Sequence, residues 1–306
     1  MVCINYNIIF TTKFTAEKSI NLCNQNTNNN MNNEKQIPVS VIIPVKNEEK
    51  NLSKCLELLS DFSEVIVVDS DSTDRTLEIA KQFDCRVVNF EWDGHFPKKR
   101  NWALHNIALK NEWVLFLDAD EFISETFKDE LRIRILSPEF NGYWITYTNH
   151  FFGKTLKYGI KFKKLALFKK GSGEYEFIDE DSWSQLDMEV HEHVIIKGKA
   201  GYFKTPITHL DYKDLYHYIS RHNEYSTWEA HRYLKLLNTP DKKLTFKQKV
   251  KYRFIDTWCF GFLYFLLNYF IFLSFLDGRS GYIFSVYKML YFFDIKVKIT
   301  ELRKRW

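Results

Sequence analysis

The chain has no C-x-x-C pair, and its five cysteines (Cys3, Cys23, Cys55, Cys85 and Cys259) are odd in number and widely spaced. That pattern argues against a zinc site and against a disulfide framework, and it fits a reducing compartment. There is no G-x-G-x-x-G and no Walker sequence, so nothing signals dinucleotide binding or NTP hydrolysis. Excess charge of one sign is small too. The net charge is +4 and the basic residues fall in short clusters, which gives no footprint for nucleic acid. Phosphorylated substrates or an anionic membrane surface account for those clusters equally well. The N-terminus lacks the basic segment and the clear cleavage site of a signal peptide. Residues 21–33 (NLCNQNTNNNMNN) are too polar to bury a core, so residues 1–36 are expected to be a disordered extension, with Met31 as the natural start.

What is present is a chain of 306 residues, 45% apolar and 17% aromatic, enough for one large domain or two small ones. Residues 39–43 (VSVII), 64–69 (EVIVVD), 85–90 (CRVVNF) and 113–118 (WVLFLD) read as buried strands. Between them, Asn47 is expected to cap a helix carrying Leu52, Cys55, Leu56 and Leu59. Asp71 or Ser72 is expected to cap a second with Leu77, Ala80 and Phe83 on one face. A loop over 91–97 precedes a helix near 98–109. Strands alternating with amphipathic helices imply an α/β domain with a parallel sheet covered on both faces and ligands at the carboxyl ends of the strands.

Residues 140–210 read as mixed strands and loops, 212–237 as a polar-aromatic helix, and Pro240 with the basic stretch 242–253 as a junction. Residues 258–276 contain no charge in nineteen positions, long enough to span a membrane. Gly261, Asn268 and Ser274 interrupt the run, and Lys and Arg flank it on both sides, so the asymmetry of a single crossing is missing. A second aromatic run, 282–293, follows the turn expected at 277–281. The pattern favours a helical hairpin lying in the interface over a single span or a buried soluble helix.

The sharpest local feature is Asp118-Ala119-Asp120-Glu121, directly after the apolar run Trp113–Leu117. Two carboxylates two residues apart on an extended chain point to one side, and hard oxygens there suit Mg²⁺ or Mn²⁺ bridging to phosphates. Alone, such a pair is as often a solvated turn. Two further polar clusters follow strands: Pro44-Val45-Lys46-Asn47-Glu48 after the first and Asp69-Ser70-Asp71-Ser72-Thr73-Asp74 after the second. With VSVIIPVKNEE, VIVVDSDSTDRT and WVLFLDADE in that order, the chain resembles glycosyltransferase family 2, the inverting GT-A group. KKRNWAL (98–104), KLALFKK (164–170), VHE (190–192) and TH (208–209) make it most similar to the lipopolysaccharide-core β-1,4-glucosyltransferases. Ser70 departs from the family, where many members carry a second Asp.

The resemblance implies a Rossmann-like GT-A domain over 37–240 and a C-terminal aromatic helical segment, 241–306, associated with a membrane. It implies a nucleoside pocket lined by Pro44, Asn47, Glu48 and Asp69, with Asp69 accepting from the uracil N–H. It places Arg100, helped by Lys98, on the diphosphate, Asp118 on the ribose or the metal's water shell, and Asp120 on the metal. Glu192 is the implied general base, with Asp181 and Asp187 in reserve. His191 and His193 alternate with it and are weak metal candidates. His209 is a third metal or diphosphate contact, or equally a core histidine. Lys98 and Glu192 also fit plain surface positions, and the aromatics of 212–233 fit helix core better than an acceptor site. The implied function is metal-dependent, inverting transfer of a hexose, glucose in the first instance, from a UDP-sugar. The acceptor would be a lipopolysaccharide core or a lipid-linked glycan at the cytoplasmic face of the inner membrane. The rivals are a polyprenyl-phosphate glycosyltransferase and a non-catalytic nucleotide-sugar-binding protein on the same fold.

Overall fold

A computed structural model describes residues 36–180, 183–184, 187–188, 192–211, 213–238 and 244–305. The expected N-terminal extension with Met31, and Asp181, His191, Tyr212 and Pro240, lie outside the described residues.

The β-branched run of strand β1 (Ile37–Val45) is buried along almost its whole length. It pairs in parallel with β2 (Phe62–Asp69) on one side and β4 (Trp113–Phe116) on the other. Strand β3 (Arg86–Asn89) extends the parallel set beyond β2. Burial on both faces is what continuous apolar strands require, and it is met by α1 (Leu52–Glu57), α2 (Thr76–Gln82) and α3 (Lys99–Asn106).

After β4 the sheet changes character. Strand β5 (Glu121–Phe122) and helix α4 (Glu125–Arg134) precede β6 (Gly142–Phe151), β7 (Lys154–Leu156), β8 (Phe162–Lys169), β9 (Gly173–Tyr175), β10 (Val194–Ile196), β11 (Ala200–Tyr202) and β12 (Ile207–His209). The ten-stranded sheet runs β3-β2-β1-β4-β8-β6-β12-β5, with β7 and β11 pairing β6 off this path. Strand β8 is antiparallel to both β4 and β6, and β12 is antiparallel to β5. The mixed second half expected from 140–210 continues the same sheet, apart from β9 and β10, which form an antiparallel pair of their own.

Two expected caps are corrected. Helix α1 is capped from Asn51, with no side-chain hydrogen bond, because Asn47 sits at φ 57° in the preceding turn. Helix α2 starts after Arg75. Asp74, rather than Asp71 or Ser72, takes the Thr76 amide, at 3.0 Å.

A helical layer completes the molecule: α5 (Leu215–Asn238), α6 (Phe246–Phe254), α7 (Phe260–Leu266) and α8 (Gly278–Arg305). Ala230, Tyr233, Ile255, Ile295 and Ile299 form a core shared by α5 and α8. The uncharged run 258–276 is not one helix. Helix α7 passes into a π turn (Leu267–Ile271), breaks with Leu273 at φ 59°, and resumes as a 3₁₀ turn (Ser274–Asp277). The two arms of this hairpin meet at 72°, and among the described residues no single helix is long and apolar enough to cross a membrane. The turn expected at 277–281 is absent, since α8 begins at Gly278, where φ is 64°. Gly281 is required nearby, because a Cβ there would stand 2.0 Å from the Ser274 carbonyl.

The polar residues that interrupt the run are clamp points. Asn268 accepts from the Ile160 amide at 2.7 Å and donates to Ser285 Oγ at 2.8 Å. Asp277 accepts from the amides of Lys157 and Tyr158 at 3.1 and 2.9 Å. The 157–160 loop of the sheet domain is thereby tied to the hairpin. Asp277→Ala leaves two amides without their acceptor, at about 1–3 kcal/mol each where buried. Limited proteolysis is expected to open this variant first at 154–160; an unchanged cleavage pattern would refute the clamp.

Candidate active site

The carboxyl ends of β1, β2 and β4 lie side by side, with Val45 in register with Asp69 and the Leu117 amide bound to the Ile42 carbonyl at 3.1 Å. The three sequence clusters therefore converge. The first two are sewn together by backbone amides. Asn47 N donates to Ser72 Oγ at 2.9 Å, and Thr73 N donates back to Asn47 Oδ1 at 2.8 Å. Glu48 N reaches Thr76 Oγ1 at 2.8 Å. Asp69 is buried at the tip of β2, oriented by the amide and hydroxyl of Ser72. Pro44, one register step behind, completes the strand-end wall beside it. Glu48 faces the acid pair, and its pKa is raised by burial first, with Asp120 and Asp118 adding to the effect.

The acid pair does not lie on an extended chain. Strand β4 ends at Phe116, and residues 118–121 form a turn closed by Glu121 N to the Asp118 carbonyl, 2.9 Å. The turn sends the two carboxylates to different partners. Asp118 accepts from Arg100 Nη2 at 2.6 Å and from Lys164 Nζ at 2.7 Å. Lys164 also donates to the wholly buried Glu121, at 2.5 Å. Burial alone would raise the Asp118 carboxyl, but the Lys164 and Arg100 charges outweigh it and hold it well below the usual carboxylate range. Glu121 goes the other way, pushed up to about 7 by burial and by Asp118 beside it, against the pull of Lys164.

Asp120 turns toward β12. Its Oδ1 lies 3.5 Å from His209 Nε2, a contact set by the pairing of His209 with Glu121 across β12 and β5. Burial disfavours a charged His209 ring, yet the hydrogen bond to Asp120 and the charges of Glu121, Asp120 and Asp211 push its pKa up to about 9. This donor set, a partly exposed carboxylate in the turn and an imidazole on β12, suits a divalent cation that takes the rest of its shell from phosphate oxygens and water. Among the described residues no group of three such side chains is assembled, so Asp120 and His209 are the residues that would hold it.

The other expected contacts are placed as follows. Arg100 is buried in α3 with its guanidinium on Asp118. Lys98, at the start of α3, is buried between Glu180 and Glu192 and reaches Glu192 Oε1 at 3.1 Å. Glu192 is thus held by Lys98, just before α3, with its carboxylate almost fully covered. Asp187 pairs with Lys99 Nζ at 3.2 Å, and His193 pairs with Glu176. Sequence reasoning gave no role to Lys164, Glu121 or Lys99. The available signal was a charged residue entering a buried strand (Lys164) and a third acid in Asp-Ala-Asp-Glu.

With this geometry in view, comparison with known proteins is consistent. Residues 40–182 match the glycosyl transferase family 2 model. The lipopolysaccharide core biosynthesis glycosyltransferase LpsC of Rhizobium meliloti is 27% identical over 223 residues, 67% of this chain and 78% of that one. An uncharacterized glycosyltransferase of Rickettsia conorii is 25% identical over 293 residues, 90% and 93% of the two chains. The glucosyl-3-phosphoglycerate synthase of Mycobacterium tuberculosis, solved with Mn²⁺, UDP and product, overlaps 36% of this chain and 43% of that one, at 23% identity and a TM-score of 0.31. That overlap is too small to carry any property across. The fold is a GT-A nucleotide-sugar transferase domain followed by C-terminal helices. Residues 40–182 carry a glycosyl transferase family 2 domain, and the chain is a glycosyltransferase.

Proposed function

We propose that the chain transfers a hexose, glucose in the first instance, with inversion from a UDP-sugar to a lipopolysaccharide-core or lipid-linked glycan acceptor. The observation that carries this is the convergence of Asp69, at the end of β2, with Asp118 and Asp120, in the turn after β4, on either side of the end of β1, with Asp120 turned onto His209. The LpsC relative, named for lipopolysaccharide core biosynthesis, supports the acceptor class. Asp69 accepts from the uracil N–H, and Pro44, Asn47 and Glu48 shape the nucleoside wall. Arg100 and Lys164 fix Asp118 toward the ribose and set a positive wall beside the diphosphate. A Mg²⁺ or Mn²⁺ held by Asp120 and His209 would supply Lewis-acid stabilisation of the departing nucleoside diphosphate. Glu192 takes the proton from the acceptor hydroxyl, its carboxylate positioned by Lys98.

UDP release from a panel of UDP-glucose, UDP-galactose and UDP-N-acetylglucosamine, with and without a membrane-lipid extract, tests the reading. Release from one donor that rises with the extract is expected; no release from any donor would refute a UDP-hexose. Glu192→Gln is expected to cut transfer by about 10²–10⁴-fold. Full activity would instead favour an acceptor phosphate, which needs no strong base.

The same proposal puts the bend of the hairpin in the cytoplasmic membrane interface. Phe262, Phe270, Ile271, Phe272 and Leu276 are exposed there, Ile271 at 69%, and such a cluster on one bend suits a monotopic anchor. Phe270→Ser, Ile271→Ser and Phe272→Ser combined are expected to weaken co-sedimentation with phosphatidylglycerol vesicles by about tenfold or more, given the apolar area removed. Undiminished binding would refute the anchor.

A further inference from the structure

Helices α5 and α8 face each other along two aromatic stripes. Tyr218, His222 and Tyr225 recur at helical spacing on α5, as do Phe284, Tyr287 and Tyr291 on α8. His222 stacks on Tyr218 with ring centres 4.0 Å apart and meets Tyr291 edge-on at 5.4 Å. One position in the α8 stripe breaks the pattern. Lys288 places its Nζ 3.1 Å from His222 Nε2, over the rings of Phe284 and Tyr291 at 5.4 and 5.8 Å.

Among the described residues this ammonium makes no ion pair. The nearest acid that acts on it, Asp211, is gripped by Arg221 at 2.9 Å. His222 cannot share its charge. The Nδ1–H donates to the Tyr218 carbonyl at 2.9 Å, which leaves the Nε2 lone pair facing Lys288. Burial, and then the Lys288 charge, pull the His222 pKa down to about 3. Burial draws Lys288 itself down to about 8. A core stripe would take leucine here; a half-buried cation costs free energy unless something anionic meets it.

The location joins this cation to the reaction site. Asp211 follows His209 by two residues, at most ~7 Å of chain. Arg221, beside His222 on α5, holds Asp211 by both its carboxylate and its carbonyl. Tyr225, one turn further on, feels the charges of Asp118 and Lys164. On the other side, α8 is the arm of the hairpin that begins at the exposed apolar bend.

We propose that Lys288, flanked by Arg221 and the Tyr218–Tyr291 faces, is an anion subsite for a phosphate carried on the lipid of the sugar acceptor. This rests on the membrane-borne acceptor of the reading above and names its chemistry. The compact ammonium supplies the point charge that a phosphate takes, and the rings of Phe284 and Tyr291 beside it would pack on the first part of an apolar tail.

The test is titration of n-dodecyl phosphate into the full chain in maltoside detergent, with dodecanol and inorganic phosphate as comparison ligands and UDP with Mn²⁺ as competitor. The wild type is expected to prefer dodecyl phosphate to both comparison ligands. Lys288→Met is expected to weaken that binding about tenfold or more, as loss of a charge-assisted contact does, and Lys288→Arg is expected to restore most of it. Thermal midpoints of Lys288→Met equal to or above wild type are expected, since the cation costs burial energy. A clear drop in that midpoint would mark a structural lysine and overturn the subsite. Equal binding by Lys288→Met, or dodecanol or inorganic phosphate binding as tightly as dodecyl phosphate, would overturn it as well. Displacement of dodecyl phosphate by UDP would assign the cation to the donor and overturn it too. If UDP itself fails to bind while dodecyl phosphate binding depends on Lys288, the nucleotide donor falls and the phosphate subsite stands.

Discussion

Asp120→Asn is expected to reduce metal-dependent UDP release by about 10³-fold or more, several kcal/mol of transition-state stabilisation in an otherwise intact fold. The size follows from position. Asp120 is the one acid of the turn that faces away from the Arg100–Lys164 pair and toward His209. It is partly exposed, and Glu121 and Asp211 still act on the His209 ring, so the amide is tolerated. The expected signature is a collapse of kcat with the thermal midpoint held within a few degrees. Activity within tenfold of wild type, with the same metal dependence, would remove Asp120 from the metal. His209→Ala should show the same pattern at smaller size, because one imidazole is lost and the carboxylate remains.

The second large effect is on folding. Lys164→Met is expected to lower stability by roughly 3–5 kcal/mol, the usual result of removing one partner from a buried charge cluster. The thermal midpoint should fall by roughly 6–12 °C. Lys164 is the counter-charge shared by Asp118 and the fully buried Glu121. Without it, the two carboxylates face each other across the turn with Arg100 reaching only Asp118. Part of the loss should return on lowering the pH. Glu121 already sits near 7 through burial and its neighbour Asp118, and a carboxyl raised above its unfolded value costs stability as pH rises through the folded pKa. A midpoint unchanged by Lys164→Met, at any pH, would contradict the role given to the triad.

The parallel half of the sheet was open to reading because its strands are continuous β-branched runs closed by Pro44, Asp69 and Asp118, and burial on both faces leaves few other uses for such runs. The acid turn was located correctly but its geometry was not. An extended Asp-x-Asp would point one way, and the turn that splits it depends on Glu121 pairing with His209 on a strand three residues long, far along the chain. No local pattern encodes that contact. Lys164 was hidden for the same reason: its partners are more than forty residues away. Lys98 lies between Glu180 and Glu192, an ion-pair cluster that only the tertiary fold assembles. The break at Leu273 has no Pro or Gly at its centre. It is imposed by hydrogen bonds from outside the run, including Gly159 N to the Phe272 carbonyl at 2.8 Å, so the hairpin bends at 272–273 and not at the turn expected over 277–281.

The central claim is that Asp69 and Asp120 frame a nucleotide site completed by a divalent cation. Calorimetric titration of UDP into the wild-type chain, in Mn²⁺ and again in EDTA, tests it most directly. The account predicts saturable binding at one site in Mn²⁺ that is lost in EDTA and in Asp120→Asn. Equal binding in both buffers, or no binding in either, would contradict it.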